Sequence, residues 1–94
     1  MHEGGKMTEK IKINGKWYLL KKEGPKLYLG VTSCISQPAA HMVCDRIMKS
    51  LGWKSTGEFV KLESEGAAAI GVEYIIPEGI SDPEELVKEA IRND

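Results

Sequence analysis

The front of the chain alternates apolar and polar residues around a central Asn-Gly pair. Asn14 and Gly15 separate two such alternating segments, residues 10–13 and 16–20. This arrangement favours a two-residue type I′ turn, because both central positions of that turn need a positive φ. It predicts a β-hairpin with Ile13 opposite Lys16. One face would then hold Ile11, Ile13, Lys16 and Tyr18, and the other Lys10, Lys12, Trp17 and Leu19.

Three further segments have the pattern of strands. Residues 26–32 follow a Gly24-Pro25 turn and place Leu or Val at every second position. Residues 57–63 and 67–76 contain apolar, β-branched and aromatic side chains, and a short glycine-containing connection separates them. The chain is therefore expected to form five strands, of which the last two make a second hairpin.

Helical spacing replaces this alternation in two places. Ser36 is a good N-cap and Pro38 fits a first turn, so a helix is expected to begin near Ser36 and to end at Gly52. Its expected buried stripe is Ala40, Val43, Cys44, Ile47 and Leu51. A second helix is expected to begin at the capping sequence of residues 81–85, with an apolar stripe of Leu86, Val87, Ala90 and Ile91.

These elements predict an α+β fold in the order β-β-β-α-β-β-α. The expected architecture is a single antiparallel or mixed sheet of about five strands with two helices. A chain of 94 residues, with 41% hydrophobic and 29% charged residues, is typical of one globular domain. We expect residues 9–94 to form that domain, and the Gly-rich, polar residues 1–8 to be a disordered leader.

The composition narrows the expected environment of the protein. No apolar run approaches the roughly 18 residues of a membrane span, and residues 1–6 lack the apolar core of a secretory signal. The two cysteines, Cys34 and Cys44, are expected to be too far apart for a bridge and to remain free thiols. We therefore expect a cytoplasmic protein without membrane contact.

Charge is distributed unevenly along the chain. The formal net charge is −1, but residues 1–26 hold seven lysines and three glutamates, whereas residues 57–94 hold ten acidic and three basic side chains. A basic front and an acidic back favour binding of a charged partner and could favour head-to-tail self-association.

The basic front suggests a binding surface. Its candidate residues are Lys10, Lys12, Lys16, Trp17, Lys21 and Lys22, with Lys26 near by. Lysines beside an exposed aromatic ring can neutralise phosphates and stack a base. The alternative is structural, because lysine on an edge strand prevents aggregation. Arginine is absent from this region, which argues against specific base recognition.

A second candidate chemistry is nucleophilic. Cys34 precedes a helix, where the helix dipole can activate a thiol, and His41 and Asp45 are i,i+4 neighbours on that helix. Together they could serve a small thiol-dependent enzyme. Ordinary packing and solvent exposure explain the same residues, and the set falls short of a zinc site.

The start of the first helix offers a third candidate. Ser33 and Ser36 could hold an anion with the free N–H groups of the first turn, or they could simply cap the helix. The chain has no phosphate-binding loop, dinucleotide fingerprint or nucleophile elbow, and we expect no metal and no cofactor. The favoured hypothesis is a small non-enzymatic binding or adaptor domain that engages a protein or a nucleic-acid backbone through its lysine-rich hairpin.

Overall fold

The computed structural model describes residues 7–94 and contains the predicted elements in the predicted order. The strands are β1 (Glu9–Ile13), β2 (Lys16–Glu23), β3 (Lys26–Val31), β4 (Ser55–Ser64) and β5 (Ala67–Ile75), and the helices are α1 (Gln37–Met48) and α2 (Pro83–Arg92). A 3-10 turn, Lys49–Leu51, follows α1. Residues 1–6 of the predicted leader lie outside the described residues. Its last two residues, Met7 and Thr8, have no regular secondary structure.

The five strands form one antiparallel sheet in the order β1-β2-β3-β5-β4. The β1–β2 hairpin has the predicted register, with Ile13 opposite Lys16, and both Asn14 (φ 53°) and Gly15 (φ 81°) have the positive φ that a type I′ turn requires. Glu65 and Gly66 repeat this geometry in the β4–β5 hairpin. The α+β prediction is confirmed, and its antiparallel form is the one observed.

Both helices pack on the same face of the sheet, here called the helix face. As predicted, the Ser36 hydroxyl accepts a hydrogen bond from the Ala39 N–H, and Gly52 ends the following turn in a left-handed conformation. The resulting core joins strand and helix side chains and includes Leu20, Leu27, Leu29, Val72, Tyr74, Cys44, Ile47, Val87 and Ile91. None of the helices in residues 7–94 is long and apolar enough to cross a membrane.

The other face of the sheet, here called the open face, has a smaller core made of strand residues alone. It consists of Leu19, Tyr28, Leu62 and Ala69. Strand β2 contacts both β4 and β5, although β3 lies between β2 and β5 in the sheet, so the sheet curves around this cluster. Gly71 permits the curvature, because a Cβ there would lie 2.7 Å from Leu62 Cγ.

One apolar position of α2 differs from the prediction. Val87, Ala90 and Ile91 are buried as expected, but Leu86 is 39% exposed. Consecutive helix residues are about 100° apart, so burying Val87 turns Leu86 towards the border of the buried stripe. Leu86 therefore belongs to the surface of the protein.

Candidate functional site

The open face presents one large aromatic side chain to solvent. Trp17 of β2 is 41% exposed, and the Nζ atoms of Lys10 and Lys12 lie 4.7 and 5.6 Å from its ring centroid. The hairpin register produces this arrangement, because Lys12 is directly opposite Trp17 and Lys10 is a diagonal neighbour on the same face. The two ammonium groups are close enough for cation–π contact with the indole.

Main-chain contacts hold this group in place. The Trp17 carbonyl accepts hydrogen bonds from both the N–H and the Oγ1 of Thr32, at 3.2 Å each. Lys10 Nζ donates to the carbonyl oxygen of Glu65, at the tip of the β4–β5 hairpin. The backbone of Trp17 is therefore tied to the segment after β3, and the nearer lysine is tied to the β4–β5 turn. We call Lys10, Lys12 and Trp17 the indole–lysine group.

The other predicted hairpin lysines do not extend this surface uniformly. Side chains alternate along a strand, so Lys21 shares the open face with Trp17, whereas Lys16 and Lys22 lie on the helix face with Tyr18 and Leu20. Lys21 Nζ lies 3.9 Å from Glu23. The structure thus divides the predicted binding set between two faces and concentrates its aromatic part at the indole–lysine group.

A buried carboxylate occupies the open face near the β2–β3 turn. Glu73 is 6% exposed, and it accepts hydrogen bonds from Thr56 Oγ1 at 2.7 Å and from the Tyr28 hydroxyl at 3.0 Å. Lys26 Nζ is 3.5 Å away. The hydrogen bond from Thr56, followed by those contacts, holds the pKa of Glu73 below its ordinary value, although burial acts in the opposite direction.

This carboxylate is satisfied by the protein itself. Burial and the hydrogen bond to Glu73 raise the pKa of Tyr28 to about 12, so its hydroxyl stays a donor at neutral pH. The network therefore fixes the strand pairing and leaves little acceptor capacity for a ligand. The sequence alone did not point to it, because the β3–β5 pairing that places Tyr28 opposite Glu73 joins residues distant along the chain.

The structure brings together only part of the predicted Cys34, His41 and Asp45 set. His41 Nε2 lies 2.9 Å from Asp45 Oδ2 and 2.8 Å from Ser55 Oγ, and the Tyr74 hydroxyl donates to Asp45 Oδ1 at 2.7 Å. Within residues 7–94, Cys34 forms no side-chain hydrogen bond to His41. Its partly buried side chain instead lines a separate groove of about 500 Å³ with Phe59 and Ile70.

The His41 arrangement does not have the geometry of a serine–histidine–carboxylate relay. Such a relay uses opposite ring nitrogens for the hydroxyl and the carboxylate, whereas here Nε2 contacts both Ser55 and Asp45. Burial, together with the hydrogen bond to Asp45, raises the pKa of Tyr74 well above its ordinary value, so Tyr74 stays protonated and donates. The cluster joins α1 to β4 and β5, and Ser55 and Tyr74 are members that sequence reasoning missed.

Among the remaining candidates, Ser36 and Cys44 have structural partners. Ser36 caps α1, and Ser33 is exposed in the loop before it. Cys44 is completely buried and donates to the Leu29 carbonyl at 3.3 Å, and burial raises the pKa of its thiol to about 12. Both cysteines are free thiols. Among the described residues, no group of three or more His, Cys, Asp or Glu side chains is arranged to hold a metal ion.

Comparison with known proteins adds no functional information. No protein-family model, no curated protein and no solved structure matches this chain.

Proposed function

We propose that this chain is a small non-enzymatic binding domain that engages single-stranded nucleic acid through the indole–lysine group. The observation that carries the proposal is a 41% exposed indole on a strand surface, with two ammonium groups within 6 Å of its ring centroid. Single-strand binders combine these two elements, an aromatic ring that stacks on a base and cations that neutralise the adjoining phosphates.

The chemistry of the group favours contact with the backbone over sequence recognition. Its cations are lysines, which act as point charges, and no arginine precedes Arg46 in the chain. A stacked indole accepts every base, because every base has an aromatic face. We therefore expect binding that depends strongly on salt and weakly on sequence.

The proposal extends to location and association. Two free thiols fit a reducing compartment, so we propose that the domain acts in the cytoplasm. The basic hairpin and the acidic back of the chain also favour self-association.

Fluorescence anisotropy with a labelled oligothymidine tests the proposal. Trp17→Ala should weaken binding about 5- to 150-fold, because stacking of one base contributes about 1 to 3 kcal/mol. Lys10→Gln/Lys12→Gln should weaken binding and should reduce the slope of log K against log salt by about 1.4, since each phosphate contact contributes about 0.7.

Lys16→Gln/Lys22→Gln is the matched control. It removes the same charge from the same hairpin, but on the helix face. Near-wild-type affinity in this control supports the proposal. Equal weakening in both double variants would show that only net charge matters, and the absence of wild-type binding at low salt would overturn the proposal outright.

The thiol-dependent alternative has less geometric support, because Cys34 and His41 line different grooves. Iodoacetamide labelling of Cys34 across a range of pH tests it directly. A labelling midpoint near pH 8.5, the ordinary thiol value, would leave that alternative without an activated nucleophile.

A further inference from the structure

Helix α2 carries a groove that combines apolar and acidic side chains. It has a volume of about 470 Å³, and its apolar lining includes Ile80 and Leu86. Asp82, Glu85 and Glu89 line it as well. Leu86 is 39% exposed beside these carboxylates, whereas Val87, Ala90 and Ile91 of the same helix are buried. We call this feature the α2 groove.

The rim of the α2 groove has a net negative charge. Glu89 Oε1 lies 3.0 Å and Glu85 Oε2 lies 3.8 Å from the same nitrogen of Arg92, so one guanidinium faces two carboxylates. Asp82 Oδ1 accepts a hydrogen bond from the Glu85 N–H and caps the helix, where a carboxylate complements the positive end of the helix dipole. A partner surface with an apolar side chain flanked by positively charged groups would complement this rim.

The indole–lysine group has that complementary chemistry. Trp17 supplies a flat apolar side chain, and Lys10 and Lys12 lie beside it. A groove of 470 Å³ has the size that small ligands occupy in proteins, so it can admit an indole. With Trp17 in the groove, the two ammonium groups would face the glutamates of its rim.

The two surfaces of one molecule cannot meet. Helix α2 packs on the helix face through Val87, Ala90 and Ile91, whereas Trp17 projects from the open face. The sheet therefore lies between the α2 groove and the indole–lysine group. Only a second copy can bring them together.

We propose that a second copy of this chain docks its indole–lysine group in the α2 groove. The contact is heterologous, since each copy presents a different surface, so association continues from copy to copy unless the rotation between copies closes a ring. A contact centred on one indole and a few charges belongs to the small, transient class of interface. Nucleic acid and the second copy would compete for Trp17.

Sedimentation velocity over a range of protein and salt concentrations tests this inference. The wild type should associate at low salt, and its association constant should fall by about tenfold or more between 0.01 M and 1 M salt, where charge screening shortens from about 30 to about 3 Å. A wild type that stays monomeric at low salt and high concentration would overturn the inference.

Two half-blocked variants identify the surfaces. Trp17→Ala/Lys12→Glu disrupts the indole–lysine group and keeps the α2 groove. Leu86→Ser/Glu85→Lys disrupts the α2 groove and keeps the indole–lysine group. Each alone should be monomeric, and an equimolar mixture should form a 1:1 pair that does not grow. Association of either variant alone, or a mixture that stays monomeric, would contradict the inference.

A matched control keeps these results interpretable. Met42→Ser/Lys49→Glu replaces one exposed apolar side chain of α1 and one exposed lysine just after it. This control should associate like the wild type, and its failure to do so would show that association follows net charge alone and overturn the assignment of surfaces. Far-ultraviolet circular dichroism establishes that each variant is folded before its result is used.

The inference and the proposed function can fail separately. Leu86→Ser/Glu85→Lys keeps the indole–lysine group, so it should bind oligothymidine at least as tightly as the wild type. A wild type that associates with itself but does not bind oligothymidine would contradict the proposed function alone. If oligothymidine binds but does not reduce self-association, Trp17 does not serve both contacts.

Discussion

The two faces of the sheet are buried by different means. Two helices cover the helix face, and its core joins side chains from strands and helices. The open face has no helical residue in its core, and the curvature of the strands alone encloses Leu19 and Leu62. The curvature of the sheet encloses only this small cluster on the open face. Trp17, on the same face, is left partly exposed beside its two lysines.

The two faces also differ in how they hold charge. The ion pair between Glu9 and Lys88, which joins β1 to α2 beside the helix face, is partly exposed. Glu73, on the open face, is buried and has three partners. The helix face therefore keeps this ion pair at its solvent border, whereas the open face combines a buried polar network with an accessible aromatic side chain.

Leu20 and Leu19 test the difference between the two cores most directly. They are adjacent in β2, both are fully buried, and they lie on opposite faces. Each Leu→Ala change should lower the free energy of unfolding by about 2 to 5 kcal/mol, with the larger loss at Leu20. The side chains around Leu20 on the helix face should relax into the resulting cavity less completely than those around Leu19 in the small open-face cluster. Urea denaturation measures both, and a larger loss at Leu19 would contradict the comparison.

Glu73→Gln tests the buried charge of the open face through the pH dependence of stability. Thr56, Tyr28 and Lys26 hold the pKa of Glu73 below its ordinary value of 4.5. The charged carboxylate therefore stabilises the fold fully above that value, and the stabilisation is lost as the pH falls through the lower folded-state pKa. We expect Glu73→Gln to cost about 1 to 3 kcal/mol at pH 7, because it weakens hydrogen bonds to a charged acceptor.

The same variant should show a flatter loss of stability on acidification. Denaturation curves of the wild type and Glu73→Gln at pH 7, 4.5 and 3 give that difference. Parallel pH profiles for the two proteins would show that Glu73 titrates in the folded state as it does in the unfolded chain.

Ser36→Ala tests whether Ser36 only caps α1 or also belongs to an anion-binding site. Loss of the N-cap hydroxyl should lower the free energy of unfolding by about 1 kcal/mol, since the Ala39 N–H loses its acceptor. Ser33→Ala, in the same loop, is the control and should have little effect. Thermal unfolding with and without phosphate measures both roles. Phosphate stabilisation that disappears in either variant would support an anion site instead.

The smallest effect is expected at the partly exposed ion pair between Lys88 and Glu9. Their charged atoms are 2.9 Å apart, and this contact raises the pKa of Lys88. Lys88→Met keeps the apolar stem and should cost less than about 1 kcal/mol, because solvent screens partly exposed pairs. The difference should vanish in 1 M salt. A cost as large as that of Glu73→Gln would remove the distinction between the charges of the two faces.

Local signals in the sequence were sufficient for most of the fold. Asn14-Gly15 set the register of the first hairpin, because the turn type fixes which residues pair. Ser36 and Gly52 marked the ends of the first helical segment through capping geometry. The exposure of Leu86 was missed, because the angular position of a residue at the border of a stripe depends on how the whole helix docks.

The candidate sites were less predictable, since they depend on contacts between distant segments. The clustering of Lys10, Lys12 and Trp17 followed from the hairpin register. The contacts of His41 with Ser55 and of Asp45 with Tyr74 required the packing of α1 on β4 and β5, for which the sequence contains no local signal.

The two tryptophans allow one direct test of binding at the open face. Trp17 is 41% exposed there, whereas Trp53 is 8% exposed within the core of the helix face. A ¹H–¹⁵N spectrum resolves both indole N–H groups while unlabelled oligothymidine is added. We expect the Trp17 signal to shift together with the amides of β1 and β2, while the Trp53 signal stays in place. An unmoved Trp17 signal at saturating oligothymidine would contradict this expectation.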